Sequence, residues 1–259
     1  MTASLRMPTT LWVVRHGQSA GNVARDLAES AGHHLIDIAT RDMDVPLSAL
    51  GERQSDAVGH WFGDLPDAER PTAVLCSPYL RARQTAERLV AAAGWPGDQV
   101  PLAFDERLRE KEFGILDRLT YAGIRAKYPE LADQRARVGK FYFRPPGGES
   151  WCDVVFRLRG VVDTLALEYP GERVLIVCHQ VIASCLRYLF ERLDEATLLS
   201  LDARGDIPNC AVSSYRLEAG AGAGGRGDLV PELVNFTAPV ADEGTPVTAA
   251  PDVPAAPGP

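Results

Sequence analysis

Three short apolar runs limit what this chain can fold into more than any other feature of it. Leu11–Val14, Ala73–Cys76 and Val174–Cys178 are β-rich, and each leads into a polar cluster and then a helical pattern. Uninterrupted apolar runs of this length suit strands buried on both faces, which belong to parallel sheets covered by helices. Between them, Ser48 precedes a stretch with Leu50, Ala57, Val58 and Trp61 on one helical face, and Tyr79–Ala93 and Ser150–Glu168 repeat the spacing. The alternation predicts an α/β domain, a three-layer α/β/α sandwich around a mostly parallel sheet.

Cys210–Leu217 and Leu229–Val234 read as two more strands, joined by the Gly/Ala-rich turn Ala219–Gly227 into a hairpin at the sheet edge. From Ala238 the composition shifts to Pro, Ala, Gly and Thr, which bury too little apolar surface to offset the entropy of ordering. The expected organisation is one catalytic domain over 1–237 and a disordered Pro/Ala-rich tail over 238–259. With 259 residues, 46% of them hydrophobic, the chain has material for one substantial core.

A formal net charge of -8 argues against binding to nucleic acid or to an anionic membrane surface, since such proteins gather Lys and Arg to meet phosphates. An anionic substrate would need positive charge concentrated locally. The five cysteines lack CxxC spacing and sit in or beside apolar runs, which fits reduced thiols. Residues 1–10 show no secretory pattern and no apolar run reaches membrane-spanning length, so a soluble cytoplasmic protein is expected.

The chemistry gathers behind the runs. Arg15-His16-Gly17-Gln18-Ser19-Ala20-Gly21-Asn22 follows the first directly, and groups at the carboxyl end of such a strand project into the ligand crevice. Gly17 would let backbone approach a ligand, Gln18 and Asn22 offer amide donors, and the next helix would aim its first N–H groups at an anion. Ser77-Pro78-Tyr79-Leu80-Arg81 and Cys178-His179-Gln180 follow the other two, and a loop carries Glu110. Two His, two Arg and a carboxyl group suit phosphoryl transfer, which needs an in-line nucleophile and charge on the equatorial oxygens. Arg15, Arg81 and a protonated His179 could supply that charge with no metal and no cofactor. His16 could attack, and Glu110, if raised in pKa, could protonate the leaving alkoxide.

Other readings compete. Glu112 rivals Glu110, and either could pair with Arg107 or Lys111. His33, His34, Asp37, Asp42 and Asp44 match no standard metal-ligand spacing and read as a lid-like or solvated loop. Cys210 and Arg216 have the spacing of a cysteine phosphatase but lack cradle glycines, and Gly220–Gly225 fits GxGxxG with no helix after it.

Taken in order, Arg15-His16-Gly17, Ser77–Thr85, Glu110, Pro146–Ser150 and His179 resemble the histidine phosphatase superfamily, also called phosphoglycerate-mutase-like, across most of residues 11–217. The resemblance implies a phosphohistidine on His16, a phosphate pocket of Arg15, Arg81 and His179, and Glu110 as proton donor. From Glu110 to Phe190 the chain is most similar to the bisphosphatase domain of 6-phosphofructo-2-kinase/fructose-2,6-bisphosphatase. By that likeness Tyr121, Lys140 and Gln180 would face the distal part of a small phosphorylated substrate. Two positions depart from it: Trp151 stands where a substrate-binding Tyr is expected, and Ser184 where an Arg is expected. Tyr121, Phe141, Phe143 and Trp151 suggest an aromatic pocket wall. Hydrolysis of a phosphorylated metabolite is the favoured activity, with a phosphomutase and a non-catalytic phospho-ligand binder as alternatives.

Overall fold

A computed structural model describes residues 7–95, 100–218 and 227–249. Its sheet contains β1 (Thr10–Arg15), β2 (Ala73–Cys76), β3 (Leu102–Phe104), β4 (Arg173–Cys178), β5 (Val212–Glu218) and β6 (Asp228–Phe236), in the order β3-β2-β4-β1-β5-β6. The three apolar runs are the parallel centre, with β4 between β2 and β1. The hairpin expected near the C-terminus is there: β5 runs antiparallel to both β1 and β6. Most of its turn, residues 219–226, lies outside the described residues, and with it the GxGxxG-like stretch.

The helices are α1 (Ala20–Ser30), α2 (Ala49–Gly63), α3 (Leu80–Ala92), α4 (Tyr121–Lys127), α5 (Pro129–Val138), α6 (Trp151–Glu168), α7 (Gln180–Phe190), α8 (Glu195–Asp202) and α9 (Ala238–Asp242). Because side chains alternate across a strand, Leu11 and Val13 of β1 face one way and Trp12 and Val14 the other. The first pair joins Val174 and Ile176 under Val154, Leu158 and Leu165 of α6 and Ile182 and Leu186 of α7. The second joins Val74, Leu175 and Val177 under Val58 and Phe62 of α2 and Ala86 and Leu89 of α3. Helices thus cover both faces, the three-layer sandwich that the sequence pattern predicts.

Local signals start the helices where they were read. Ser48 caps α2, its side chain accepting from the Gly51 amide. Ser150 caps α6 in a reciprocal box with Asp153, so two of the orphan donors of that helix are satisfied at once.

The expectation of disorder from Ala238 onward does not hold for the described part of that segment. Residues 238–242 form α9, with Val240 fully buried against the α2 side of the sheet. His60 then pairs with Glu243 at 2.7 Å, and the amide of Asn209 donates to the Thr248 carbonyl at 2.8 Å. Composition averages over a window and so misses one well-placed valine and a few backbone partners. Residues 250–259 of the expected tail lie outside the described residues.

Candidate active site

The parallel strands end together. The His16 amide donates to the Cys178 carbonyl at 2.9 Å and the Ser77 amide to the Val177 carbonyl at 3.0 Å. These ladder bonds bring His16, Ser77 and His179 to one rim of the sheet, and all three are fully buried. The rings of His16 and His179 meet edge-on, their centroids 5.1 Å apart.

His16 Nδ1 lies 2.7 Å from the Gly17 carbonyl. A carbonyl only accepts, so Nδ1 carries the proton and the lone pair is on Nε2. Nε2 in turn lies 3.3 Å from Arg81 Nε, a donor. The ring is therefore held in the tautomer that leaves Nε2 nucleophilic, beside a guanidinium.

Gly17 is required for a different reason from the one its sequence position suggested. A Cβ there would stand 2.4 Å from the Gly51 carbonyl oxygen, and a Cβ on Gly51 would stand 2.0 Å from that of Gln18. The first turn of α2 packs directly on the loop after β1, which leaves no room for a side chain on either. The loop is further tied by the Gly17 amide donating to Thr85 Oγ1 at 3.0 Å.

Arg15 and Arg81 are both buried. Arg15 Nη1 donates to the Ile207 carbonyl at 2.5 Å. Arg81, in the first turn of α3, stacks over Tyr79 at 5.2 Å and holds Asp42 through Nη1 and Nη2. His179 Nε2 is 2.8 Å from Ser77 Oγ. The Arg81 guanidinium and the His179 ring thus stand beside His16, donors of the kind suited to the oxygens of a phosphoryl group, with Arg15 next to His16 in the chain.

The two candidate carboxylates separate cleanly. Glu110 is 1% exposed and its Oε1 accepts from the Lys111 amide at 2.7 Å. Glu112 is exposed at the rim and accepts from the Tyr79 hydroxyl at 2.8 Å. The backbone under Glu110 is gripped by Arg157, which donates to the Arg107, Arg109 and Glu110 carbonyls and pairs with Glu149 at 2.8 Å. Glu149 also accepts from the Glu112 amide at 3.0 Å and from Arg109 at 2.9 Å. Glu149 is the acid of the Pro146–Ser150 segment; Arg157 carries no motif that would have singled it out.

The outer candidates are more dispersed. Gln18 Oε1 accepts from the Ser48 hydroxyl at 2.7 Å, and Asn22 Oδ1 accepts from the Ser19 amide at 2.9 Å, completing the α1 cap. Gln180 donates to Asp206. The Tyr121 hydroxyl accepts from Arg125 at 3.1 Å, and Lys140 pairs with Asp202, so its charge is already matched. Three of the four residues expected as an aromatic wall, Phe141, Phe143 and Trp151, are buried in hydrophobic clusters instead. The sequence could not distinguish wall from core for side chains of one chemistry.

Two cations, Lys111 and Arg135, were not among the substrate-binding candidates of the sequence. Lys111 is 7% exposed, with Nζ 4.1 Å over the Phe113 ring and 3.3 Å from the Glu112 carbonyl, and burial pushes its ammonium down to about 8. Arg135 of α5 stands within electrostatic reach of Lys111, Asp202 and Tyr121, and burial lowers its guanidinium. Lys111 adjoins Glu110 in sequence and was read only as an ion-pair partner for the carboxylates; Arg135, among the charges of an amphipathic stretch, carried no signal at all.

The rival chemistries lose support. Cys210 is buried and burial pushes its thiol up to about 12, while Arg216 pairs with Glu232 at the sheet edge, so the two do not build a thiolate site. The other cysteines also stand as thiols, with Cys152 alone exposed. In the loop with His33 and His34, Asp42 goes to Arg81 and Asp44 to Arg41 at 2.7 Å. Among the described residues no helix is long and apolar enough to cross a membrane.

A three-layer α/β sandwich with paired histidines and arginines at the carboxyl rim of its parallel strands defines a phosphate-handling α/β enzyme. The profile of the histidine phosphatase superfamily (branch 1) matches residues 11–224, and the chain belongs to that family. It is accordingly an enzyme of the histidine phosphatase type. The 6-phosphofructo-2-kinase/fructose-2,6-bisphosphatase of Caenorhabditis elegans is 33% identical over 188 residues, covering 72% of this chain and 35% of the relative. The cattle (Bos taurus) 6-phosphofructo-2-kinase/fructose-2,6-bisphosphatase 3 is 30% identical over 71% of this chain and 33% of its own length. The chain thus spans about a third of the length of these relatives. Among solved structures, mycobacterial glucosyl-3-phosphoglycerate phosphatase superposes with a TM-score of 0.67 at 25% identity, over 88% of this chain and 99% of that one. An Escherichia coli protein described as a putative alpha-ribazole-5'-P phosphatase shares the fold, with a TM-score of 0.67 at 17% identity over 88% of this chain and 98% of its own.

Proposed function

We propose that the protein hydrolyses a phosphorylated sugar or sugar acid bearing a second anionic group, through a phosphohistidine on His16. The observation that carries this reading is the fixed tautomer of His16: Nδ1–H is committed to the Gly17 carbonyl, and Nε2 meets Arg81 at 3.3 Å. In the first step Nε2 attacks phosphorus in line, the bond to the leaving oxygen breaks, and Glu110 gives that oxygen its proton. In the second, Glu110 takes a proton from water as its oxygen attacks the phosphohistidine, releasing phosphate and restoring Nε2. Arg15, Arg81 and a protonated His179 hold the equatorial oxygens throughout. Their charge is what a divalent metal would otherwise supply, so the reaction runs without one.

Lys111 and Arg135 support the second anionic group. Lys111 adjoins Glu110 and feels its charge, and Arg135 stands within electrostatic reach of Lys111. The substrates named for the relatives, fructose 2,6-bisphosphate and glucosyl-3-phosphoglycerate, each carry a further acidic group beside the scissile phosphate. Ser184 and Trp151 depart from the bisphosphatase pattern, which favours a related substrate over fructose 2,6-bisphosphate itself. The test is phosphate release from a panel of sugar phosphates, phosphorylated acids and p-nitrophenyl phosphate in EDTA, with His16→Ala as control. Release that needs His16, tolerates EDTA and prefers doubly anionic compounds is the expected result; turnover by His16→Ala would refute the nucleophile.

A further inference from the structure

Next to the loop that follows β1, the C-terminal segment turns one side chain inward. Pro246 and Val247 are exposed, while Thr248 is half-buried and reaches two fully buried amides, Asn209 and Gln54. The Thr248 hydroxyl donates to Asn209 Oδ1 at 2.9 Å and accepts from Gln54 Nε2 at 3.0 Å. The Thr248 carbonyl takes the Asn209 amide at 2.8 Å, and the Pro246 carbonyl takes Gln54 Nε2 at 2.8 Å.

Each amide reaches the catalytic loop with its other end. Asn209 Nδ2 donates to the His16 carbonyl at 3.2 Å, and Gln54 Oε1 accepts from the Gln18 amide at 2.9 Å. The two peptide groups that flank Gly17 are therefore gripped from outside, and Gly17 carries the carbonyl that holds His16 Nδ1–H.

The directions interlock. The His16 carbonyl is acceptor only, so Asn209 must present its NH2 there and its oxygen to Thr248. That oxygen needs a donor, which spends the one hydroxyl proton of Thr248. The hydroxyl lone pairs then face Gln54 Nε2, which leaves Gln54 Oε1 for the Gln18 amide. The backbone groups of His16, Gln18 and Pro246 set which way each amide faces, and the one hydroxyl bridges the two amides in those orientations.

We propose that Thr248 is a positioning residue: segment 245–249 is a clasp that fixes Asn209 and Gln54, and through them the aim of His16 Nε2. Thr248 touches no reacting atom. The proposal rests on His16 as nucleophile for its kinetic consequence, but the clasp itself can be tested without turnover. In Thr248→Val the side-chain volume stays while the hydroxyl is lost. The phosphate oxygens keep their arginines, so kcat should fall about tenfold while KM stays within about twofold, the effect of a slightly misaimed attacking atom. Thr248→Ser should restore kcat. Hydrogen exchange at the Gln18 amide should quicken in Thr248→Val and recover in Thr248→Ser.

Wild-type kcat and wild-type Gln18 exchange in folded Thr248→Val would overturn the proposal, as would a loss that Thr248→Ser fails to repair. If the wild-type protein releases no phosphate in a His16-dependent manner, the functional reading fails by itself, and the exchange measurement still decides the clasp.

Discussion

The Asp42 carboxylate lies across the guanidinium of Arg81, with Oδ1 3.0 Å from Nη1 and Oδ2 3.2 Å from Nη2. This two-pronged geometry is the one an arginine offers a phosphate. A substrate phosphoryl group held by Arg81 must therefore compete with a carboxylate from the chain itself. Asp42 sits in a short 3₁₀ turn within the lid-like segment, its side chain 30% exposed. Asp42→Asn should tighten inhibition by phosphate or vanadate and lower KM by roughly twofold to fivefold, the scale of a partly exposed ion pair. Inhibition constants unchanged by the substitution would show that Asp42 leaves Arg81 without cost.

Glu110 and Glu112 invite a paired comparison. If Glu110 delivers the proton, Glu110→Gln should slow release of poor alkoxide leaving groups by about a hundredfold or more and barely touch p-nitrophenolate, which needs no proton. Glu112→Gln keeps an oxygen to accept from the Tyr79 hydroxyl and loses the charge that faces Arg109 at 3.8 Å; it should cost at most a few-fold, on both substrates alike. The readout is the ratio of kcat for the two substrates in each variant. A leaving-group dependence that appears in Glu112→Gln instead would transfer the role.

Lys111 ties the site to pH. Its ammonium titrates at about 8, below the ordinary 10.5, because burial penalises the charge. Between those values the unfolded chain binds the extra proton, so the Lys111 contribution makes the protein more stable as pH rises through the window. Lys111→Met should raise the melting temperature at pH 7 and remove that part of the rise. Activity should move the opposite way. Above about pH 8 the neutral amine no longer attracts a second anion, so KM should climb for doubly anionic substrates and stay flat for p-nitrophenyl phosphate. Parallel KM profiles for both substrates would take Lys111 out of the leaving-group pocket.

What was legible in the sequence follows from range. The strands Leu11–Val14, Ala73–Cys76 and Val174–Cys178 announce themselves because burial on both faces demands unbroken apolar runs, and the polar residues after them must fall at one rim. Ser48 and Ser150 were readable because a cap acts within three residues. Asn209, Gln54 and Arg157 were not, since each works by reaching a backbone group far away in sequence: Asn209 to His16, Gln54 to Gln18, Arg157 to the loop under Glu110. Amides and arginines are common on surfaces, and nothing local distinguishes one that is buried. Phe141, Phe143 and Trp151 failed in the other direction, an apolar signal that fits wall and core equally.

The segment after Thr237 divides into two parts that different cuts separate. Val240 is fully buried in the cluster under α2, and removing its two methyl groups in Val240→Ala should cost about 2 kcal/mol, or roughly 4–8 °C in Tm for a domain of this size. A chain ended after Thr237 loses α9 and the His60–Glu243 pair together and should melt lower still. A chain ended after Gly244 keeps both but lacks Pro246 and Thr248, the partners of Gln54 and Asn209. It should therefore hold a Tm near that of the full chain while its kcat drops as in Thr248→Val. Melting curves and steady-state rates for the two truncations would separate anchoring from aiming, and a Gly244 truncation that loses neither would leave the last residues without a role in either.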